Sequence, residues 1–287
     1  MELKYKVTNN KYKNINEVIN SYFKISTRLK NKLIRQKNIY LNGKFVDTRY
    51  ELKIGDEIII NFNYSEDNSN IIPMKMPLDI VYEDDWLLVI NKPAGIAIHP
   101  SILHFDNSLS NGIRYYFNEI GLKKKIRPVN RLDKDTSGLV VFAKCEYIQE
   151  VLNTSNDIKK EYLCICSGIF KEKSGTINKP ISRKSGSIIE RCIDKSGKIA
   201  ITHYKVIKEF TDYCVVSCVL ETGRTHQIRV HMASIMHPLL GDTLYGYPSS
   251  LISRQALHCY KVEFIHPITK NKLELTTPIP RDFETLC

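Results

Sequence analysis

The feature that most limits the fold is a recurrence. From Trp86 onward the chain keeps returning to short runs rich in β-branched and aromatic residues: WLLVI (86–90), GLVVFAK (138–144), EYLCICSGIF (161–170), DYCVVSCVLETG (212–223) and YKVEFIHP (260–267). Runs of this length, bounded by Gly, Pro, Asp and Ser, read as strands. Ile96 to Ile98, after the sharp turn Lys92-Pro93-Ala94-Gly95, is expected to form one more. Helical periodicity is sparser, and SLSNGIRYYFNEIG (108–121) and HQIRVHMASIM (226–236) are its best stretches. Strands without regular strand–helix alternation argue against a Rossmann-type sheet and predict a mixed α+β unit.

The first 62 residues have another character. They hold 13 Lys and Arg against 6 Asp and Glu, and the whole chain carries a net charge of +11. That balance favours polyanionic partners such as nucleic acid. Ile15, Val18, Ile19 and Tyr22 fall on one helix face. Ser26 or Thr27 can cap a second helix from Arg28 to Lys37, with Leu29 and Leu33 inward and Arg28, Lys32 and Arg35 on a face suited to phosphates. Asn42-Gly43 signals a hairpin, and ELKIGDEIIINF reads as a second one turning at Gly55-Asp56. The polar stretch Asn63 to Asn70 reads as a linker. The expected division is therefore 1–62, a linker over 63–75, and a larger unit over 76–287.

Two helices, a basic face and an Asn-Gly hairpin closing on GDEI resemble the S4 RNA-binding domain over about Asn14 to Ile60. The stretches STRLKNKLI, LNGK and IGDEI carry the resemblance. Asn38 stands where that family often has Gly, and Asn tolerates a left-handed conformation. The resemblance assigns RNA contact to Arg28, Lys32, Arg35, Lys37 and Lys44; a charge run by itself is more often only a solvated face.

Three polar clusters stand out in the larger unit: NRLDKDTSG (130–138), KKEYLCICSG (159–168) and ETGRTHQIRVHMASIMHPLLGDTLYG (221–246). In this order, and after the opening NKPAGIAIHPS (91–101), they resemble the RluA-type pseudouridine synthases over about Pro77 to Pro280. With an S4-like unit ahead, the resemblance is to the ribosomal RNA branch of that family. It implies an α+β fold with a mainly antiparallel sheet. It also implies isomerisation of uridine: the bond from ribose to N1 breaks, the uracil turns, and C5 is joined instead. No atom is gained or lost, so no cofactor or metal is expected. The implied partner is ribosomal RNA, with transfer RNA as the alternative substrate.

The same resemblance gives the catalytic carboxylate to Asp133. Arg229 in HQIRVH would pair with it, stabilise its charge and orient its oxygens. Tyr162 would lie against the uracil and help hold a flipped base. Arg131 would fill the place of the extruded nucleotide or grip phosphate. Asn130, Thr136, Gly138, Lys160, His226 and Gln227 are the expected supports. Asn130 replaces the family's usual His, which keeps hydrogen-bonding capacity and gives up any positive charge.

Taken singly, each residue has a plainer reading. Asp133 is a loop carboxylate, Tyr162 a strand-core tyrosine and Arg229 an ordinary ion-pair partner. His226, His231 and His237 are five and six residues apart, not the spacing of a helical zinc pair. None of the eight cysteines forms a C-x-x-C pair, and Cys164 and Cys166 should pack as small apolar groups. The N-terminus lacks a signal-peptide core and no run reaches transmembrane length, so the cytoplasm is the expected setting, and nothing in the sequence requires more than a monomer. A non-catalytic RNA-binding or ribosome-assembly protein and a hydrolase of the glycosidic bond are the competing readings.

Overall fold

The computed structural model describes residues 1–101, 105–155 and 158–287. Its N-terminal sheet holds β1 (Glu2–Lys6), β2 (Ile39–Leu41), β3 (Lys44–Phe45) and β4 (Glu57–Asn61), in the antiparallel order β1-β4-β2-β3. Two helical segments pack on it. The first is α1 (Ile15–Glu17), continued by a π-helical turn (Val18–Tyr22); the second is α2 (Thr27–Arg35). Ser26 caps α2, its hydroxyl accepting the Leu29 N–H at 3.2 Å. Leu29 and Leu33 are buried as the stripe predicts.

Three local expectations are corrected here. Tyr22 is 51 % exposed rather than inward. The π turn takes more residues per turn, so i+7 leaves the apolar line, and the ring rests on Tyr5 with centroids 4.7 Å apart. The left-handed residue after α2 is Lys37 (φ 56), so Asn38 is not needed in that role. The hairpin at Gly55-Asp56 does not form, because both edges of β4 are taken by β1 and β2. That turn closes on Val7 instead, with Gly55 N–H on its carbonyl at 2.9 Å. The Asn42-Gly43 turn does form, with both residues at positive φ.

The larger sheet draws on β5 (Ile80–Glu83), β6 (Leu87–Lys92), β7 (Arg127–Pro128), β8 (Ser137–Ala143), β9 (Lys159–Ser167) and β10 (Ser174–Asn178). β11 (Ile181–Arg183) and β12 (Arg191–Ile193) form a separate two-stranded arm. β13 (Ile201–Glu209), β14 (Tyr213–Leu220), β15 (Leu257–Ile265) and β16 (Lys272–Thr276) complete the sheet. Its order is β10-β13-β14-β9-β15-β8-β6-β5, with β16 on β15 and β7 on β8. The one parallel pairing among the described residues is β8 with β15. The helices are α3 (Leu109–Glu119), α4 (Glu146–Ser155), α5 (Gln227–Ala233) and α6 (Arg281–Glu284).

This is the mixed α+β architecture that the strand runs predict, mainly antiparallel as the resemblance implies. β8 is its spine, buried at every residue. Alternation along it feeds two cores: Leu139, Val141 and Ala143 join the large one, while Val140 and Phe142 join Ile113 and Phe117 of α3. Cys164, Cys166 and Cys218 are fully buried, as small apolar residues would be, with the Cys164 sulfur 3.6 Å from that of Cys166 and 3.5 Å from that of Cys218.

Ile96 to Ile98 is not a strand. The carbonyls of Ala97 and Ile98 instead accept the Leu109 and Ser110 N–H groups that open α3, at 2.8 and 3.0 Å. Residues 63–75 have no strand or helix, yet they are not a free tether: Asn68 is 2 % exposed and Glu66 ion-pairs with Arg127. Among the described residues no helix is long and apolar enough to cross a membrane.

Candidate active site

Asp133 lies in the loop between β7 and β8, and backbone ties hold that loop from several sides. The Asn130 amide donates to Leu139 O at 3.1 Å, and its oxygen accepts the Val141 N–H at 2.8 Å. The Asn that replaces the family's His thus faces the β8 backbone, where it splints the loop. Arg254 donates to Asp135 O at 3.0 Å, and the Thr136 N–H closes a turn on Asp133 O at 3.1 Å. Gly138 (φ 112) ends the loop where β8 meets β15, and a Cβ there would strike the Cys259 backbone.

Lys92 is the fastener that sequence reading passed over as part of a turn. Its fully buried ammonium donates to the carbonyls of Pro93, Ile96 and Lys134 at 2.8–2.9 Å, joining the NKPAG turn to the loop of Asp133. Burial pushes it down to about 7, against the opposing pull of the Asp135 and Asp133 carboxylates. A Lys just after the apolar run Trp86 to Ile90 and directly before Pro93 was the available signal.

The carboxylate itself meets one cation and one imidazole. Arg229 donates from Nη1 to Asp133 Oδ2 at 3.2 Å, and His226 Nε2 lies 3.7 Å from the same oxygen. Arg229 is in turn held by Asp242, through Nε at 2.7 Å and Nη2 at 2.8 Å. Burial opposes the guanidinium charge, but Asp242 and Asp133 outweigh it and raise its pKa. Asp242 is 1 % exposed and also accepts the Leu244 and Tyr245 N–H groups. The Tyr245 ring lies under the guanidinium at 5.0 Å, and its hydroxyl meets His226 Nδ1 at 2.7 Å. Neither Asp242 nor Tyr245 was among the expected site residues. Their place in GDTLYG, inside the third cluster, was the only hint.

Tyr162 on β9 lines the same cleft as Asp133, Leu132, Leu220 and His226. Burial pushes its phenol well above the ordinary value, with Cys259 and the Asp133 charge adding to the effect. The ring therefore meets a ligand in its neutral form. Burial likewise lowers His226, which favours the neutral imidazole near pH 7. Gln227, one of the expected supports, makes loop hydrogen bonds: its oxygen takes the Arg224 N–H at 2.9 Å and its amide donates to Ile201 O at 3.0 Å.

A wider groove of roughly 730 Å³ opens from this cleft, rimmed by Arg131, Lys160, Arg191 and Arg224. Burial lowers the Lys160 ammonium. One carboxylate at the centre of a basic rim can receive a polyanion and act on a single point of it.

The N-terminal candidates lie apart from Asp133. Arg28, Arg35, Lys37 and Lys44 are exposed. Lys32 is already engaged, 2.8 Å from Glu146 and 3.4 Å from Glu66. Arg131, exposed at the cleft mouth, lines both the cleft and a second groove running to Arg28 and Arg35. His231 is buried between Thr202 and Lys179 O, and His237 stacks on Phe170, so these two serve packing. Among the described residues no group of three His, Cys, Asp or Glu side chains could hold a metal ion.

Comparison with known proteins gives concordant results. A family model described as RNA pseudouridylate synthase matches residues 86–234, which include Asp133, Tyr162 and Arg229. The uncharacterized RNA pseudouridine synthase YhcT of Bacillus subtilis is 42 % identical over 254 residues, covering 87 % of this chain and 84 % of that protein. The ribosomal large subunit pseudouridine synthase D of Vibrio cholerae is 37 % identical over 273 residues, covering 89 % and 84 %. Among solved structures, human RNA pseudouridylate synthase domain containing 1 aligns with a TM-score of 0.59 and 27 % identity, over 71 % of this chain and 84 % of that one.

Proposed function

The chain belongs to the RNA pseudouridylate synthase family, and from that premise we propose that it converts uridines of large-subunit ribosomal RNA to pseudouridine, with Asp133 as the catalytic carboxylate. The observation that carries the assignment to Asp133 is its geometry. One oxygen is engaged by Arg229, and the group stands 27 % exposed at the mouth of a cleft whose wall is the neutral ring of Tyr162.

A uridine extruded from a loop enters beside Tyr162, whose ring stacks on the uracil and offsets part of the cost of flipping. The Asp133 carboxylate then attacks C1′, or takes a proton from the sugar to give a glycal; either route separates N1 from C1′ with the base held in the cleft. The uracil turns and C5 bonds to C1′ as the Asp133–C1′ bond breaks or, on the glycal route, as the proton returns to the sugar; the C5 proton then leaves for solvent and N1 takes one up. Arg229 holds the carboxylate aimed through the approach, and Asp242 keeps Arg229 in place.

Residues 1–62 serve as an S4-like RNA-binding unit, with Arg28, Arg35, Lys37 and Lys44 toward phosphate. The large-subunit assignment rests on relatives such as that of Vibrio cholerae. Engagement of the Asn130 amide with the β8 backbone favours retained activity over the non-catalytic alternative. Eight unpaired thiols support a cytoplasmic setting.

The test is to incubate the protein with unmodified large-subunit ribosomal RNA and transfer RNA transcripts and to map carbodiimide adducts by primer extension. New stops in the ribosomal transcript alone are expected. Stops only in transfer RNA would overturn the substrate, and free uracil without stops would overturn the reaction.

A further inference from the structure

The polar stretch after β4 has the composition of a flexible tether, yet it is built into a seam. The Glu66 carboxylate grips Arg127 with both oxygens, at 2.6 and 2.8 Å, and both side chains are about 5 % exposed. Lys124 donates to the carbonyls of Phe62 and Tyr64, and Asn68 donates back to Lys124 O. Beneath these bonds Phe62 stacks on Tyr147 and meets Trp86 edge-on, with centroids 5.8 and 6.2 Å apart. From α4, Tyr147 donates to Phe23 O at 3.2 Å and Glu150 accepts from Ser26 at 2.8 Å.

These contacts fix angle as well as proximity. An apolar patch alone tolerates sliding, whereas a bidentate arginine–carboxylate pair and an ammonium on two carbonyls each demand one orientation. Such a closed pair adds little net stability over apolar packing, and fixing register is the best-attested use of buried ionic groups. The groove beside the seam has one wall from α2 (Arg28, Arg35) and the other from Lys125, His99 and Arg131. His99 and Arg131 also line the groove that holds Asp133, so a single RNA segment can run from α2 to the carboxylate past Arg28, Arg35, Lys125 and Arg131, with Glu146 and Glu150 the acidic residues along the way.

The geometry points to the seam as a ruler. By bracing α2 against the Asp133 loop, it makes the choice of uridine depend on distance along the RNA from the element that α2 grips. Glu66 and Arg127 are positioning residues in this scheme, and the inference rests on the RNA-isomerase reading above. A slack tether would let the two sites engage RNA at many spacings; a rigid one concentrates the second contact at one.

The test compares the full chain with Glu66→Gln/Arg127→Met, which removes both charges of the pair together. Two substrates are needed: full-length unmodified large-subunit RNA, and a short stem-loop carrying only the uridine the wild type modifies. On the stem-loop the two proteins should agree within about twofold, while on the long RNA the variant's kcat/KM should fall about tenfold and adducts should spread to neighbouring uridines. Equal rates and equal site maps on the long RNA, or equal losses on both substrates, would overturn the ruler. A wild type active on neither RNA would overturn the parent reading, and the ruler with it. Should the pair variant fail to fold, Tyr147→Phe/Glu150→Met carries the same comparison, because it removes the hydrogen bonds from α4 to Phe23 O and Ser26 and leaves the Glu66–Arg127 pair in place.

Discussion

Arg127 and Arg229 are each 6 % exposed, and each lies between two acidic side chains. Their networks end differently. Around Arg127, Glu66 is 5 % exposed and sealed against the 123–127 segment. Around Arg229, Asp242 is closed at 1 %, but Asp133 is left 27 % open to a cleft. Glu146, the second acid on Arg127, is 29 % exposed, but Lys32 also holds it at 2.8 Å, so both carboxylates of that network are spent on cations of the fold and it holds things together. A network that ends on a charged oxygen facing a basic groove can also act on what enters.

The contrast can be broken from either side. Arg127→Met alone leaves the Glu66 carboxylate buried without its partner and should lower unfolding free energy by about 3–5 kcal/mol. Denaturant titration measures this, and turnover of the stem-loop substrate below the new transition should stay near wild type. Asp242→Asn should do the reverse. It keeps an acceptor for Leu244 and Tyr245 but loosens Arg229, so kcat should fall about a hundredfold with KM little changed, as loss of a supporting carboxylate does elsewhere. A matching rise in KM would make Asp242 a substrate-binding group instead.

Lys92 offers a pH signature. Its folded value of about 7 lies below that of a free lysine. Between about 7 and about 10 the unfolded chain therefore binds the proton that the folded chain has shed, and this group's contribution to stability rises with pH. The gap in Tm between wild type and Lys92→Met should shift in favour of wild type from pH 7 to pH 9; a constant gap would mean Lys92 stays charged throughout. The smallest effect belongs to the outer face of α2. Arg28→Ala/Arg35→Ala should weaken RNA binding and reduce the salt slope by about two, and an unchanged slope would remove α2 from the RNA path.

Much of this could be read from residue order. Periodicity located β6, β8, β9, β14, β15, α3 and α5, since each buries a face its own pattern announces. It missed α4, α6, the strands β5, β7, β10 to β13 and β16, and the non-strand at Ile96 to Ile98. The last carries strand-like residues, but its carbonyls are taken by α3, which no local pattern records. Asp133, Tyr162 and Arg229 meet at one cleft through motif order, across 96 residues of separation for the Asp133–Arg229 bond. Lys92, Asp242 and Glu66 stayed hidden for a common reason: each is a charged residue whose burial is decided by a partner distant in sequence. Composition alone assigns such residues to turns and linkers.

The most direct test of the central claim is tritium release from RNA labelled at uracil C5, with wild type and Asp133→Asn compared on the same ribosomal transcript and binding measured in parallel. The account predicts release by wild type and, for Asp133→Asn, RNA affinity within about twofold but turnover lower by at least about a thousandfold, as expected when a catalytic nucleophile or base is removed. Release by Asp133→Asn at a rate near wild type would contradict it.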